Sequence, residues 1–513
     1  MPPNFVIIMV EHFGANLCPG YGSTPLRAPA IERFAAGSAR FDQAHCPSPV
    51  CGPSRFAFLT GCHVHNTDAY DNGSTIPPWL PTYAHMLTAA GYRTLMCGRM
   101  HIHGLDTLHG FEERLSSEII EPILGTQADM PAKLDPIRPL PPAKPIRTEC
   151  PVTESAMHHH DEYVAQRAAD FLRARPRDPD RRPFMLTVGF LGAHPGSNGN
   201  PAFAPLYRDY LSRDLPLPRF TPADYEALPE HIRRLHQICG AGREIFDPQY
   251  HRHERALHLA RCEYMDGMVA RVLDALRESG LDRDTVVLFT ADHGDNFGEH
   301  GLWGKMNFYQ EAQRVPLLVR VPGGAARGVD GRVSLIDILP TLAELAGVGT
   351  SFPIDGLSFA PALRGGATPR GRDGLLFSEY HGYRSPGSAY MLIQGRWKYC
   401  HYLHEPCELY DLDADPAERT DLGACPESEP VRRDLRAELA RILDVDAFES
   451  TVTRYNLRRQ AVFAALEASP VTRAATTARL AAFRRELNEP WWDGGEYMAR
   501  ERVKMKERKE KAR

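Results

Sequence analysis

The run CPSPVCGPSRFAFLTG, residues 46–61, is the stretch on which the organisation of the chain depends. Its Pro- and Gly-rich turn carries Cys51, and Ser54 and Arg55 follow before an apolar segment. This pattern predicts a strand-to-helix corner with Cys51 at the helix N-terminus, where backbone N–H groups and the helix dipole favour an anion. Arg55 lies about one turn further on and would face the same side. The run is also compatible with a zinc or disulfide cysteine, or with a buried thiol.

Short apolar runs elsewhere predict strands of a parallel sheet that is buried on both faces. They occupy residues 5–10, 93–97, 184–190 and 285–291. Polar residues follow each run, namely Glu11-His12, Arg99 with His101, His194, and Asp292-His293. Open α/β sheets bind ligands at the carboxyl ends of their strands, so these side chains are candidates for one shared site.

The composition excludes several classes of protein. With 43% hydrophobic and 24% charged residues over 513 positions, the chain reads as an ordinary soluble globular protein. A net charge of -5 argues against a surface for nucleic acids. The 11 cysteines form no CxxC pairs, which favours reduced thiols. No signal peptide and no membrane-spanning run is recognisable, so we expect a cytoplasmic protein.

Two separate motifs resemble the sulfatase family. The first is C-x-P-S-R followed by T-G, within residues 51–61. The second is D-H-G-D at 292–295, followed by Lys305 and by R-V-P-L at 314–317. The resemblance implies an α/β fold of the alkaline phosphatase-like type. Such a fold has a mixed, mostly parallel sheet flanked by helices and a smaller C-terminal antiparallel sheet.

The resemblance and a change of composition near residue 371 predict three parts of the chain. These are a catalytic domain over 1–370, a small-sheet subdomain over 371–445 and a helical tail over 446–513. Residues 197–250 form a polar insertion that we interpret as a lid over the site. The charged tail would be solvated or would pack in an oligomer, and we expect a homo-oligomer, either a dimer or a tetramer.

The resemblance implies a sulfuric ester hydrolase whose nucleophile is an oxidised cysteine. In the family a formylglycine-generating enzyme converts this cysteine to formylglycine, and the hydrated aldehyde attacks the sulfate ester. The implied ligands of the metal, Ca²⁺ or Mn²⁺, are Glu11, Cys51, Asp292 and His293. The implied catalytic residues are Cys51, Arg55, Arg99, His101, His194 and Lys305.

Those catalytic residues divide the chemistry between anion binding and proton transfer. The three cations Arg55, Arg99 and Lys305 would neutralise the sulfate group. His194 with Lys305 would protonate the leaving group, and His101 would take the proton from the second hydroxyl of the hydrate.

Two positions depart from the family pattern. Glu11-His12 stands where the family has Asp-Asp or Asp-Gln, and Arg99 stands for the Lys of a G-K-x-H element. Glu11 is still an oxygen ligand, although one methylene longer, and a ligand role for His12 is left open. Arg99 keeps the positive charge but does not hand over protons, so it can clamp an anion without acting as an acid.

Three runs resemble the choline sulfatase branch of the family: A-Y-D-N at 69–72, L-H-G-F-E-E-R-L at 108–115 and S-E-Y-H at 378–381. They predict that Asn72 and Glu379 bind substrate, and that the substrate is a small alkyl sulfate ester. A quaternary ammonium group needs an aromatic cage, and residues 119–130 contain no aromatic side chain, which argues against choline itself. A phosphonate monoester or phosphodiester hydrolase with the same site, and a catalytically inert family member, remain alternatives.

One further cluster invites a metal-binding interpretation. His158-His159-His160 precedes a predicted helix over 162–173. Three adjacent side chains cannot all face one ion, so we expect these histidines to be solvated in a loop.

Overall fold

The computed structural model describes residues 2–102, 106–116, 118, 136–150, 157–194, 200–371, 373–382 and 385–471. The larger sheet contains β1 (Asn4–Val10), β2 (Ala39–His45), β3 (Arg93–Gly98), β4 (Glu113–Ser116), β5 (Phe184–Phe190), β6 (Thr285–Ala291), β7 (Leu317–Arg320) and β8 (Arg327–Ser334). Its strand order is β4-β3-β5-β1-β6-β7-β2-β8. β7 runs antiparallel to both of its neighbours, and the other adjacent strands are parallel.

The central strand β1 fixes the level at which its neighbours end. Its residues from Phe5 onward are buried and apolar, as the sequence run predicts for a strand covered on both faces. Val10 pairs with Phe190 of β5 on one side and with Ala291 of β6 on the other. The residues that follow these three strands therefore emerge side by side at one edge.

The described residues form thirteen α-helices, several of which contact strands of this sheet. They are α1 (Pro29–Ala36), α2 (Cys51–Thr60), α3 (Tyr83–Ala89), α4 (Met157–Ala174), α5 (Phe203–Leu211), α6 (Pro222–Ala227), α7 (Glu230–Ile238), α8 (Pro248–Glu278), α9 (Gln310–Gln313), α10 (Ile338–Ala346), α11 (Ala360–Leu363), α12 (Glu429–Ile442) and α13 (Val445–Ala468). The long α8 packs against α1, α4 and α5, while α2, α3 and α10 pack together.

A smaller sheet follows in the chain. It contains β9 (Leu376–Tyr380), β10 (Ala389–Gln394), β11 (Trp397–Tyr402) and β12 (Glu408–Asp411). The order is β12-β11-β10-β9 and every adjacent pair is antiparallel. Helix α12 packs on β10 and β11. The predicted fold class, a mostly parallel sheet flanked by helices with a small antiparallel sheet after it, is confirmed.

One local prediction was wrong. Helix α4 begins at Met157, so the histidines at 158–160 belong to its first turn and not to a solvated loop. His159 and His160 are buried, and His160 Nδ1 lies 3.3 Å from Asp161 Oδ1. The apolar side chains further along α4 pack in the core and extend the helix into its polar first turn. The sequence of the first turn alone did not indicate this.

The predicted lid segment is largely helical where it is described. Helices α5, α6 and α7 fall within it, and α7 is tied to the loop after β11. There His231 Nδ1 lies 2.5 Å from Glu405 Oε2, and Arg234 Nε donates to Glu405 Oε1 over 2.7 Å. The segment therefore docks on the small-sheet region, and its closing role stays a prediction.

Two features of the whole chain bear on its setting. All eleven cysteines are free thiols. Within the described ranges, no helix combines the length and the apolar character needed to span a bilayer. The tail beyond residue 471, including the Trp491-Trp492 pair, lies outside the described residues.

Candidate active site

The buried start of helix α2 places residue 51 inside the protein. Val50 is extended, Cys51 opens the helix, and Pro53 stands in the first turn, where its missing N–H removes no intrahelical bond. Gly61 ends the helix at φ 69°, a left-handed conformation that suits glycine. Every residue from Cys51 to Thr60 is buried, so the N-terminal N–H groups face the interior. The predicted strand-to-helix corner is therefore present.

The Cys51 side chain meets residues from two strand ends and from a later loop. Its thiol donates to Glu11 Oε1 over 2.8 Å and lies 3.4 Å from His293 Nε2. Lys305 Nζ donates to Cys51 Sγ over 2.6 Å. Burial and the Glu11 charge outweigh the Lys305 ammonium and raise the pKa of the Cys51 thiol to about 12. An unmodified Cys51 is thus a poor thiolate nucleophile at neutral pH.

Four side chains form a group suited to a metal ion. One ligand atom from each of Glu11, His12, Cys51 and His293 lies within 4.8 Å of the other three, and all four residues are buried. We call this group the strand-end cluster. His12 and His293 come from neighbouring strand ends, and their rings meet edge to face with centroids 4.5 Å apart.

Hydrogen bonds fix the proton positions of both imidazoles. His12 Nδ1 donates to Asp295 Oδ2 over 3.1 Å, and His293 Nδ1 donates to the Gly294 carbonyl over 2.8 Å. Burial lowers the pKa of both rings, to about 4 for His293, so each is neutral at pH 7 with its lone pair on Nε2. His12 Nε2 is buried without a hydrogen-bond partner among the described residues. Metal-binding histidines typically donate one ring N–H to a carboxylate or a carbonyl and present the lone pair of the other ring nitrogen to the metal.

Asp292 lies at the edge of this cluster. Its Oδ2 accepts from Arg55 Nε over 3.0 Å, and its Oδ1 accepts from the backbone N–H groups of His12 and His293 over 3.3 and 3.0 Å. Oδ1 is also 3.6 Å from His293 Nε2. Asp292 therefore stands next to the strand-end cluster while holding Arg55, and its role as a metal ligand stays a prediction.

Two arginines line the other side of Glu11. Arg99 Nε forms a close ion pair with Glu11 Oε2, and Arg99 Nη2 donates to Oε1 over 3.3 Å. Arg55 Nη2 lies 3.5 Å from Glu11 Oε2 and is fully buried. Burial alone would raise the pKa of Glu11, but the charges of Arg99 and Arg55 hold it well below its usual range. Arg99 and Arg55 therefore place buried positive charge beside Glu11, where an anion could bind.

His194 completes the ring of groups around Glu11. Its Nε2 lies 3.7 Å from Glu11 Oε1, and its ring meets His12 edge to face with centroids 4.7 Å apart. Burial, together with Lys305, outweighs the attraction of Glu11 and lowers the pKa of His194 to about 3. The imidazole is therefore neutral at pH 7.

Asn72 and His101 meet beside the start of α2. Asn72 Oδ1 accepts from the Gly52 backbone N–H over 2.8 Å, and the Asn72 carbonyl accepts from His101 Nε2 over 3.2 Å. Asn72 therefore links the turn that carries Cys51 to the predicted base. The structure shows this linking contact, whereas substrate binding by Asn72 stays a prediction.

Glu379 is the predicted site residue that the structure does not bring to the cluster. It is fully buried on β9 and accepts from the His65 backbone N–H over 3.0 Å. His65 Nδ1 lies 2.9 Å from Glu379 Oε1, and His381 Nε2 lies 2.9 Å from Glu379 Oε2. Both carboxylate oxygens are therefore paired with histidines, as in a structural network, and substrate binding by Glu379 stays a prediction.

The sequence pattern does not assign the roles of two residues of the site. His12 stands where the family has an acidic or amide residue, so its ligand role stays open in the sequence, and Asp295 is only the end of D-H-G-D. The pairing of Asp295 with His12 joins two motifs 283 positions apart, which a local pattern does not show.

The comparisons with known proteins agree with this geometry. The family model described as Sulfatase matches residues 3–348. The chain belongs to the sulfatase family. A second model, described as N-sulphoglucosamine sulphohydrolase, C-terminal, matches residues 298–444. Family membership confirms the predicted class, sulfuric ester hydrolase. Helix α13 begins at Val445 and lies beyond both matched ranges.

This sulfatase is similar over most of its length to several known proteins. It is 34% identical over 483 residues to a choline-sulfatase of Rhizobium meliloti (strain 1021), covering 90% of this chain and 91% of the relative. It is 28% identical to arylsulfatase K of Danio rerio, covering 88% and 86%. A 2-O GAG sulfatase structure aligns with a TM-score of 0.66 and 25% identity, covering 89% and 93%. The phosphonate monoester hydrolase of Agrobacterium radiobacter, at TM-score 0.70 and 21% identity over 88% and 96%, shares the fold.

Proposed function

We propose that this sulfatase hydrolyses a sulfate monoester with a formylglycine nucleophile made from Cys51. The observation that carries the proposal is the position of Cys51 Sγ, 2.8 Å from Glu11, 2.6 Å from Lys305 and 3.4 Å from His293. A nucleophile at this point touches a carboxylate, an ammonium and an imidazole at once. Because its pKa is raised, the thiol itself would be a weak nucleophile, whereas a hydrated aldehyde would supply a hydroxyl at the same point.

The donor set of the strand-end cluster supports a divalent metal. Glu11, His12 and His293 offer one carboxylate and two neutral imidazoles, and oxidised Cys51 would add an oxygen. Lys305 Nζ donates to both Cys51 Sγ and His293 Nε2, over 2.6 and 3.0 Å. These two atoms thus already face a positive charge, that of the Lys305 ammonium group. Ca²⁺ takes oxygen ligands, and Mn²⁺, as a transition metal, accepts imidazole nitrogens more readily than Ca²⁺ does, so we favour Mn²⁺ of the two. The ion, when bound, would acidify the nucleophilic hydroxyl and polarise a sulfate oxygen.

The remaining residues bind the ester and handle its protons. Arg99 contacts Glu11 and Lys305 contacts Cys51, so both side chains place positive charge at the cluster. A bound sulfate group could accept hydrogen bonds from these two side chains in place of those contacts. Lys305 and His194 are the proton donors for the leaving alcohol. The neutral His194 would need the nearby anionic sulfate to raise its pKa before it could donate. His101 keeps its Nε2 proton on the Asn72 carbonyl, so its Nδ1 would accept a proton.

Peptide mass spectrometry on protein from native cells tests this proposal. We expect the peptide that contains residue 51 to carry formylglycine. An unmodified cysteine thiol at residue 51 would instead support the alternative of a catalytically inert family member. Parallel assays with an aryl sulfate, choline sulfate and a phenylphosphonate ester separate the substrate classes. Faster turnover of the phosphonate ester would favour the alternative of a phosphonate hydrolase.

The setting of the enzyme is part of the same proposal. Free thiols at all eleven cysteines accord with a cytoplasmic location, and modification of Cys51 requires a formylglycine-generating enzyme as a partner. We keep the homo-oligomer and the domain limits at residues 370 and 445 as predictions. Native mass spectrometry and limited proteolysis test them.

A further inference from the structure

The loop that follows helix α2 holds two parts of the proposed active site together. Asn72 accepts from the Gly52 N–H at the start of α2 and from His101 Nε2. The neighbouring Asp71 is 1% exposed, and its carboxylate accepts from Ser74 Oγ over 2.7 Å. Any movement of Asp71 would be passed through one peptide bond to Asn72, and from there to the turn that carries Cys51.

Helix α13 reaches this loop from the far end of the chain. Arg459 Nη1 donates to Asp71 Oδ2 over 2.6 Å, and the Asp71 side chain is only 2% exposed. The Arg459 guanidinium lies over the Tyr455 ring, 5.2 Å from its centroid. Tyr455 in turn meets the Tyr70 ring edge to face at 5.1 Å. The contact is therefore a packed one, with a charge pair at its centre.

We propose that Arg459 is a positioning residue, which acts through Asp71 on Asn72 and so on the alignment of Cys51 and His101. The inference rests on the proposed function for its kinetic consequence, but not for the contact itself. The ion pair is largely buried, so removing the guanidinium would leave the Asp71 carboxylate without its main counter-charge. The loop would then shift to hydrate that carboxylate, and Asn72 would move with it.

Helix α13 lies beyond the ranges that the two family models match. Both family models end at or before residue 444, so the part of the protein that they match does not include Arg459. The loop that carries Asp71 and Asn72 is thus contacted by a helix that lies outside the ranges of both family models.

Adjacent arginines on α13 give a matched pair of variants. Arg459→Ala removes the contact, whereas Arg458→Ala makes the same change at the next residue, which is exposed. We expect Arg459→Ala to lower kcat by about tenfold to a hundredfold with a smaller change in KM, as misplaced catalytic groups do. Arg458→Ala should retain the kcat of the parent. Added ethylguanidinium should restore part of the lost kcat in Arg459→Ala only.

Hydrogen exchange supplies a readout that does not depend on sulfatase activity. We expect faster amide exchange in peptides that cover 68–74 and 51–55 in Arg459→Ala, and no change there in Arg458→Ala. Equal exchange and equal kcat in the two variants would overturn the inference. If exchange is faster in Arg459→Ala but neither the parent nor any variant has sulfatase activity, the positioning contact of Arg459 stands and the proposed function is contradicted.

A second pair of variants keeps the test decisive if Arg459→Ala does not fold. Arg459→Lys keeps the charge but loses the planar fork, and Asp71→Asn removes the partner charge. If the pair acts as a unit, the double variant loses no more kcat than the worse of its two single variants. Additive losses would overturn the proposed coupling.

Discussion

The strand-end cluster and the cluster around Glu379 are both buried groups of carboxylate and imidazole, yet they differ in how fully their polar atoms are paired. Both carboxylate oxygens of Glu379 have histidine partners, and both ring nitrogens of His381 are hydrogen-bonded, to Glu379 and to Ser388. In the strand-end cluster, His12 Nε2 has no such partner among the described residues. Full pairing indicates a structural network, whereas a buried lone pair left without a partner beside other donor atoms indicates a ligand site.

The largest expected effect is the loss of activity on a change within the strand-end cluster. Cys51→Ala should lower kcat by about 10⁴-fold or more, because it removes the nucleophile, while the unfolding temperature changes little. The measurement is steady-state kinetics on an aryl sulfate beside thermal unfolding. A turnover number equal to that of the parent would remove the proposed mechanism.

The next effect concerns the carboxylate behind His12. Asp295→Asn keeps an oxygen acceptor for the backbone but loses the charge that holds the His12 Nδ1 proton, so Mn²⁺ affinity should fall by about 10- to 100-fold. Calorimetric titration of metal-depleted protein measures this affinity. Asp274→Asn, on the outer part of α8, is the control and should bind Mn²⁺ as the parent does. Equal affinities in the two variants would show that His12 is not a ligand.

A third variant tests the assignment of Glu379 to structure. Glu379→Gln removes a buried charge that two histidines share, which should cost about 3–5 kcal/mol in free energy of unfolding. The kcat and KM of the folded fraction should stay at the parent values. Chemical denaturation and kinetics measure both quantities. A raised KM with unchanged stability would instead restore the substrate-binding role predicted from the sequence.

The smallest effect is a pH dependence of stability within the Glu379 cluster. Burial would lower the pKa of His65, but the charge and hydrogen bond of Glu379 raise it above the usual value near 6.5. The stabilisation from His65 is therefore fully present below about pH 6.5 and is lost as the pH rises through the raised pKa. Unfolding free energies at pH 6 and pH 9 should differ less in His65→Asn than in the parent. An equal difference would contradict the assignment.

Much of the fold was predictable because it follows from local patterns. Continuous apolar runs marked β1, β3, β5 and β6, and the Pro- and Gly-rich turn marked the start of α2 at Cys51. The polar residues after those strands indicated which side chains would meet, since neighbouring parallel strands end at one edge. Sulfatase motifs supplied the roles, which spacing alone does not give.

The remaining features depend on contacts between distant parts of the chain. The pairing of His12 with Asp295 and of Arg459 with Asp71 each join residues hundreds of positions apart. The burial of Glu379 between two histidines follows from the docking of the small sheet, so a motif that resembles a substrate-binding run lies in a closed network. The helical start at His158–His160 depended on packing that its composition did not reveal.

Anomalous X-ray scattering at the manganese edge, from crystals of the Mn²⁺-loaded enzyme, tests the central claim most directly. We predict one strong peak within bonding distance of Glu11, His12, His293 and the side chain of residue 51, and none beside Glu379. A peak at the Glu379 cluster, or no peak at the strand-end cluster in protein that retains sulfatase activity, would contradict the account.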